Sequence, residues 1–311
     1  MKKNIVLSLS LIILGSLFSG FALSRSSRPV SIKMHIKDLP QHHLRLISPS
    51  DPSFDERLRK ELKGESNEVI DTLKPFSVFL ENKGEKAVVA YLIQWCFTKP
   101  DGGNQYYRKF VMSPQALMEG ENLSSEVRRR AGQVEPNSAI FLSLLSPDGS
   151  GILRTEVSPK EAEEFKQGKR FDQRSLWQRF SAQAEKYTEI TVSLDAAFFE
   201  DGTFVGPDTT NFFEQTQAIV NAKRDFLNEL AAGLSNSGGN RDSLYGRLRE
   251  TSNQPIESLD SKSTPADFYN YFKQLSATEF LRMKDVQGED GAIEMALRPT
   301  NKSWATLRKK D

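Results

Sequence analysis

Three kinds of side chain in this sequence have the makings of a reactive site. Histidine occurs only at His35, His42 and His43, with Asp38 nearby, a set that suggests zinc ligation or base catalysis. Adjacent side chains such as His42 and His43 diverge in most backbones, so exposed loop residues are the plainer reading. The single thiol, Cys96, is a candidate nucleophile with one of those imidazoles. A cysteine inside an apolar strand more often serves as a small buried hydrophobe. Carboxylates gather at Asp195, Glu200, Asp201 and Asp208. The last three bracket a turn and offer oxygen ligands for Ca²⁺, but they lack EF-hand spacing. Turn chemistry and the positive end of a following helix explain them as well. Asp195 falls on the polar face of a strand without an identified partner, which makes it a weak acid–base candidate.

Other motifs are surface features. Arg128, Arg129 and Arg130 form a basic run that would contact anionic lipid or polysaccharide, or remain a solvated loop. Asn122 and Asn301 head glycosylation acceptor triplets, which matter only in a eukaryotic secretory route. No Gly-x-Ser-x-Gly, Ser-x-x-Lys or His-Glu-x-x-His occurs, and no phosphate-cradling Gly-rich loop followed by Lys-Ser or Lys-Thr. Motifs therefore assign no catalytic, cofactor-binding or metal-ligating residue and no cofactor. A site assembled from distant residues stays open.

Lys2 and Lys3 precede an apolar run from Ile5 to about Phe18, and Ala22, Leu23 and Ser24 place small residues at cleavage spacing. Residues 1–24 read as a signal peptide, with an uncleaved membrane anchor as the alternative. With one cysteine an exported chain has no internal disulfide, so its stability must come from a core. The formal charge of +1 gives no global reason to expect nucleic acid. The sequence specifies no oligomeric state.

The elements that would position these residues follow from periodicity. Residues 25–67 read as an edge strand near 30–36 followed by Pro-punctuated loop and a short charged helix. Residues 68–207 read as a β domain of short strands joined by hairpin turns. Its centre is 86–98, apolar on both faces: Ala87, Val89, Tyr91, Ile93, Trp95 and Phe97 alternate with Val88, Ala90, Leu92, Gln94 and Cys96. A helical insertion is expected near 159–186. In 188–199, Ile190, Val192, Leu194, Ala196 and Phe198 should share one face, with Thr191, Ser193 and Asp195 on the other. Asp201-Gly202 supplies a tight turn, and Gly206-Pro207 ends the pairing.

From Asn211 the period lengthens to that of a helix, with Asn211 and Glu214 placed as a capping box. Its stripe of Phe212, Thr216, Ile219, Val220, Phe226, Leu227, Leu230 and Leu234 must lie on the sheet or another helix. Residues 208–311 thus form a helical extension, with further helices near 242–250 and from Pro265. The basic residues after Arg308 read as weakly held.

Segregated strands and helices predict an α+β fold: an antiparallel β-sandwich with a helical insertion and a C-terminal helical extension. Trp95 in the central strand without a bridging cystine resembles a disulfide-free immunoglobulin-like sandwich. The order of strand module, Asp-Gly hairpin, Gly-Pro stop and amphipathic helix, over residues 76–234, resembles uncharacterised secreted bacterial proteins; that resemblance carries no activity. The expected function is a non-catalytic binding module of the cell envelope or extracellular space, with a protein or glycan partner, no nucleic acid, and membrane contact only through an uncleaved N-terminal segment. The alternative is a secreted hydrolase acting on an envelope or extracellular polymer through a carboxylate pair that includes Asp195 or Glu200.

Overall fold

The computed structural model describes residues 32–112, 132–144, 163, 186–236, 241–255, 259, 263–297 and 307–309. The fold is α+β: two mostly antiparallel sheets and, among the described residues, six α-helices. The signal segment, the 128–130 arginines and both glycosylation triplets lie outside the described residues, as does the 159–186 insertion apart from Glu163 and Lys186.

Residues 86–98 do form the central strand, β4 (Val88–Thr98), of the larger sheet. It pairs antiparallel with β5 (Asn104–Met112) on one side and β7 (Glu189–Phe199) on the other. The far edge of β7 is shared by β1 (Lys33–Lys37), parallel to its first half, and β8 (Thr203–Val205), antiparallel to its second. A two-residue strand, β9 (Arg308–Lys309), runs parallel to β8. The smaller sheet joins β2 (Leu44–Ile47), β3 (Ser77–Asn82) and β6 (Ser138–Ser143) in that order, all antiparallel. The Pro-punctuated stretch was expected to be loop. It forms β2 because Leu44, Leu46 and Ile47 are buried against the same core as β3.

That core lies between the sheets. Tyr91, Ile93, Trp95 and Phe97 of β4 face Val78 and Leu80 of β3, with Leu142 of β6 in the same cluster. Trp95 is wholly buried, and the Phe76 and Phe97 rings stand 6.4 Å apart. Helix α1 (Phe54–Glu61) sets Phe54 edge-on to Phe79 at 5.4 Å, and α2 (Asn67–Leu73) adds Leu73. Each such side chain contributes about 1.5–3 kcal/mol. Burial pushes the Tyr91 hydroxyl up, because its phenolate would sit in this dry interior.

The strict alternation expected of β4 and β7 fails at two points, for one reason. Between Leu92/Ala196 and Ile93/Leu194 the register slips, so Asp195 is an extra residue on β7; likewise Val89 is extra on β4. A β-bulge reverses the phase of the strand beyond it. Ile190, Val192 and Leu194 therefore join the inter-sheet core, followed by Ala197 and Phe199. Ala196 and Phe198 turn to the opposite face, with Val89, Ala90 and Leu92.

That opposite face receives α3 (Phe212–Asn236). Phe198, Phe204, Phe212 and Phe213 cluster with ring centroids 4.9–5.8 Å apart, and Phe110 meets Phe212 edge-on at 4.9 Å. The stripe expected on α3 is buried at Phe212, Thr216, Ile219, Val220, Phe226 and Leu230. Only its first turns serve the sheet. From Phe226 onward it packs with α4 (Asp242–Ser252), α5 (Pro265–Gln287) and α6 (Glu289–Ala296) around Leu244, Ala277 and Phe280. Thr264 and Asp267 close a reciprocal capping box on α5, and Gly288, at φ 82°, separates α5 from α6. Arg241 bonds Glu289 across this helical layer. Burial first, then Glu289, pushes the Tyr245 hydroxyl up to about 12.

Gly206 marks the exit from the sheet. It adopts φ +118°, and a Cβ there would lie 2.4 Å from the Asp195 carbonyl oxygen. Gly206→Ala should cost about 2 kcal/mol or more and lower the melting temperature. Gly246→Ala is the opposite case: it is mid-helix, its Cβ meets nothing within 4 Å, and it should stabilise by up to ~1 kcal/mol. Calorimetric melting of both variants checks the pair; equal effects would contradict the close approach at Gly206.

Candidate functional site

The residues that sequence nominated for chemistry do not come together. His35 is on β1, with its Nε2 3.4 Å from Glu189 Oε2. His42 ends a short 3-10 turn, and His43 follows in the left-handed region at φ 61°. Asp38 Oδ2 accepts from the Leu46 amide at 3.4 Å. Cys96 is half-buried, opposite Thr191 on β7 and Tyr106 on β5. His35 also pairs with Thr191, so β7 stands between the thiol strand and the imidazole strand. Two strand spacings amount to about 9–10 Å, which rules out a direct thiolate–imidazolium couple between residues in register.

The carboxylates are committed elsewhere. Asp195, 2% exposed, is aimed by its bulge at the loop before α3. Its Oδ1 accepts from Thr209 N at 3.1 Å and Thr209 Oγ1 at 2.7 Å; its Oδ2 accepts from Thr210 Oγ1 at 2.9 Å. Its carbonyl oxygen takes the Asp208 amide at 3.0 Å. Asp208 is also buried. Its Oδ1 accepts from the Phe213 amide at 3.3 Å, and its Oδ2 meets Lys309 Nζ at 3.1 Å. The acceptor at the first turn of α3 is thus Asp208, where the sequence pointed to Asn211. Glu200 Oε1 accepts from Ala87 N at 3.3 Å. For Asp201, burial works to raise the carboxyl, but bonds from Lys86 at 2.6 Å and Thr203 N at 3.1 Å outweigh it and hold it below the ordinary range.

Lys309 was missed. It was expected on a weakly held basic end, yet it pairs with β8, bonds Asp208, and sets its ammonium 5.7 Å from both the Phe204 and Phe213 ring centroids. No local signal reveals this, because its partners lie about a hundred residues earlier.

Among the described residues, the half of the large sheet that α3 leaves is uncovered. Alternation against the buried residues puts Lys33, His35 and Lys37 of β1 on that face. The register then builds cross-strand rows: Lys33–Glu189–Thr98–Asn104, His35–Thr191–Cys96–Tyr106 and Lys37–Ser193–Gln94–Arg108. Tyr106 is 52% exposed. Arg108 Nε donates to Gln94 Oε1 at 2.9 Å, and Thr98 Oγ1 to Asn104 Oδ1 at 3.0 Å. Among the described residues no element lies over these rows. The available signal was the polar even positions Gln94 and Cys96 in an otherwise apolar strand, where the helix-covered stretch carries Ala90 and Leu92.

Asp195→Ala should destabilise by about 1–3 kcal/mol, because it strands the buried Thr210 hydroxyl and releases the exposed Thr209 from its tether. Asp195→Asn keeps the shape and should cost less. Lys309→Met leaves the Asp208 carboxylate, 3% exposed, with the Phe213 amide alone among the described residues and should cost about 1–3 kcal/mol. Urea unfolding midpoints check the order, and an unchanged midpoint for Asp195→Ala would dispose of the tether. Comparison of the chain with protein-family models, curated proteins and solved structures returns no match, so the geometry of this face and of the Asp195 loop carries the functional reading.

Proposed function

We propose that this protein is an exported, non-catalytic binding module of the cell envelope or extracellular space, and that the open face of the large sheet is its binding surface. One observation carries the reading. The carboxylates best placed for acid–base work already hold backbone amides, threonine hydroxyls and lysines, while Tyr106 and Arg108, the β5 ends of two adjacent rows, are exposed. A general acid needs a proton to give to substrate and a position beside it. Asp195 lacks that position, being 2% exposed under its own loop. Aromatic and arginine side chains on a rigid sheet supply contact area with little ordering cost.

We also propose that the fold is an immunoglobulin-like sandwich, with Trp95 buried between two sheets and no cystine to bridge them. The parallel pairs β1–β7 and β8–β9 are additions at the edge of that plan. Export rests on residues 1–24.

Two measurements test the proposal. The full chain, incubated with a panel of envelope and extracellular polymers, should be retained without releasing reducing ends or free amines. Tyr106→Ala and Arg108→Ala should weaken retention while preserving the melting temperature. Product release that disappears in Asp195→Asn or Glu200→Gln would restore the hydrolase. Expression of the full chain in a bacterial host should yield protein that starts near residue 25 outside the cytoplasm; a full-length N-terminus in the membrane pellet would refute cleavage in favour of the anchor.

A further inference from the structure

The charge and chemistry of the open face narrow its ligand class, on the reading that this face is the binding surface. Cations stand at both rims: Lys33 and Lys37 on β1, Arg108 on β5. The one carboxylate in the rows, Glu189, lies against His35 at 3.4 Å. The strands from β1 to β5 span about 14 Å. Between the rims lie the hydroxyls of Thr98, Thr191 and Ser193 and the Gln94 amide, with the Cys96 thiol among them, all half-buried. Protein interfaces usually place an apolar centre inside a polar rim. This face is arranged the other way, with a hydrogen-bonding centre and an aromatic and cationic border.

We infer that the ligand of this face is a carboxylated polysaccharide, a chain of uronate-type sugars lying across β1, β7, β4 and β5. Arg108 is held by its Nε bond to Gln94, and no other bond among the described residues uses its remaining N–H groups, so it offers a planar fork to a sugar carboxylate. Lys33 and Lys37 meet carboxylates at the opposite rim as point charges. Thr191, Ser193 and Gln94 exchange hydrogen bonds with sugar hydroxyls, directly or through water. The Tyr106 ring, 52% exposed, supplies an aromatic surface for the C–H side of a pyranose. A wholly basic patch would attract any polyanion; here the central hydroxyls and amide ask for a ligand that is hydroxylated as well as anionic.

The test is affinity electrophoresis and calorimetric titration of the full chain against three polymers: alginate, neutral dextran and polyglutamate. Alginate should bind, more weakly as salt rises, and the other two should not. Arg108→Gln and Tyr106→Ala, both exposed and therefore neutral to folding, should each weaken alginate binding about tenfold. Polyglutamate bound as tightly as alginate would reduce recognition to charge and overturn the inference. Dextran bound as tightly would overturn the acidic class while leaving a glycan-binding face. Indifference to alginate would end this inference alone, since another polymer retained through Tyr106 keeps the binding module. Alginate cut into shorter chains would instead sink the module reading itself.

Discussion

A single inserted residue in β7 sets the relation between the sheet and everything after it. Asp195 has no partner on β4. By occupying the bulge it turns Phe198 and Ala196 away from the inter-sheet core toward α3, and it points a carboxylate at the loop from which α3 starts. A buried carboxylate without donors would be far more costly than a buried apolar side chain. Three donors from Thr209 and Thr210 offset that cost, and Gly206 permits the approach that brings them within reach. The loop, the helix start and the five-phenylalanine cluster are consequences of one register slip.

That slip also explains what could be foreseen. Periodicity located β4, β7, α3 and α5, because each has a long buried stripe whose period is set by its own backbone. The start of α5 was readable near Pro265, and the capping box that Thr264 and Asp267 form there is equally local, since they are three residues apart. Periodicity could not reveal the bulges, since a strand of Ile, Val, Leu, Ala and Phe looks alternating whichever face its second half serves. The first-turn acceptor of α3 was assigned to Asn211 by proximity. The bond comes from Asp208, which a left-handed backbone at φ 56° folds back under the helix. Lys309 and β2 were out of reach because tertiary contacts, not local preference, hold them.

The candidate site divides along the same line. Individual residues such as His35, Cys96 and Asp195 stand out in the sequence by rarity or charge, and the fold separates them: a strand lies between His35 and Cys96, and Asp195 is roofed by its own loop. The residues that share the open face are ordinary in type. Lys33, Gln94, Tyr106 and Arg108 acquire meaning only when the registers of four strands align them in rows. A surface of this kind is a property of pairing, so no motif could announce it.

Why α3 stops short of these rows has a physical answer. Where the sheet offers Leu92, Phe198 and Phe110, a helix gains by removing apolar area from water, and the first turns of α3 lie there. One row further on, the sheet offers Gln94, Ser193 and Arg108. Covering these with an apolar helix stripe would strand their hydrogen-bonding groups at a cost larger than the area gained. The helix instead spends its later apolar residues, Phe226 and Leu230, on α4 and α5. The boundary between covered and open sheet therefore coincides with a change in side-chain chemistry along β4 and β7.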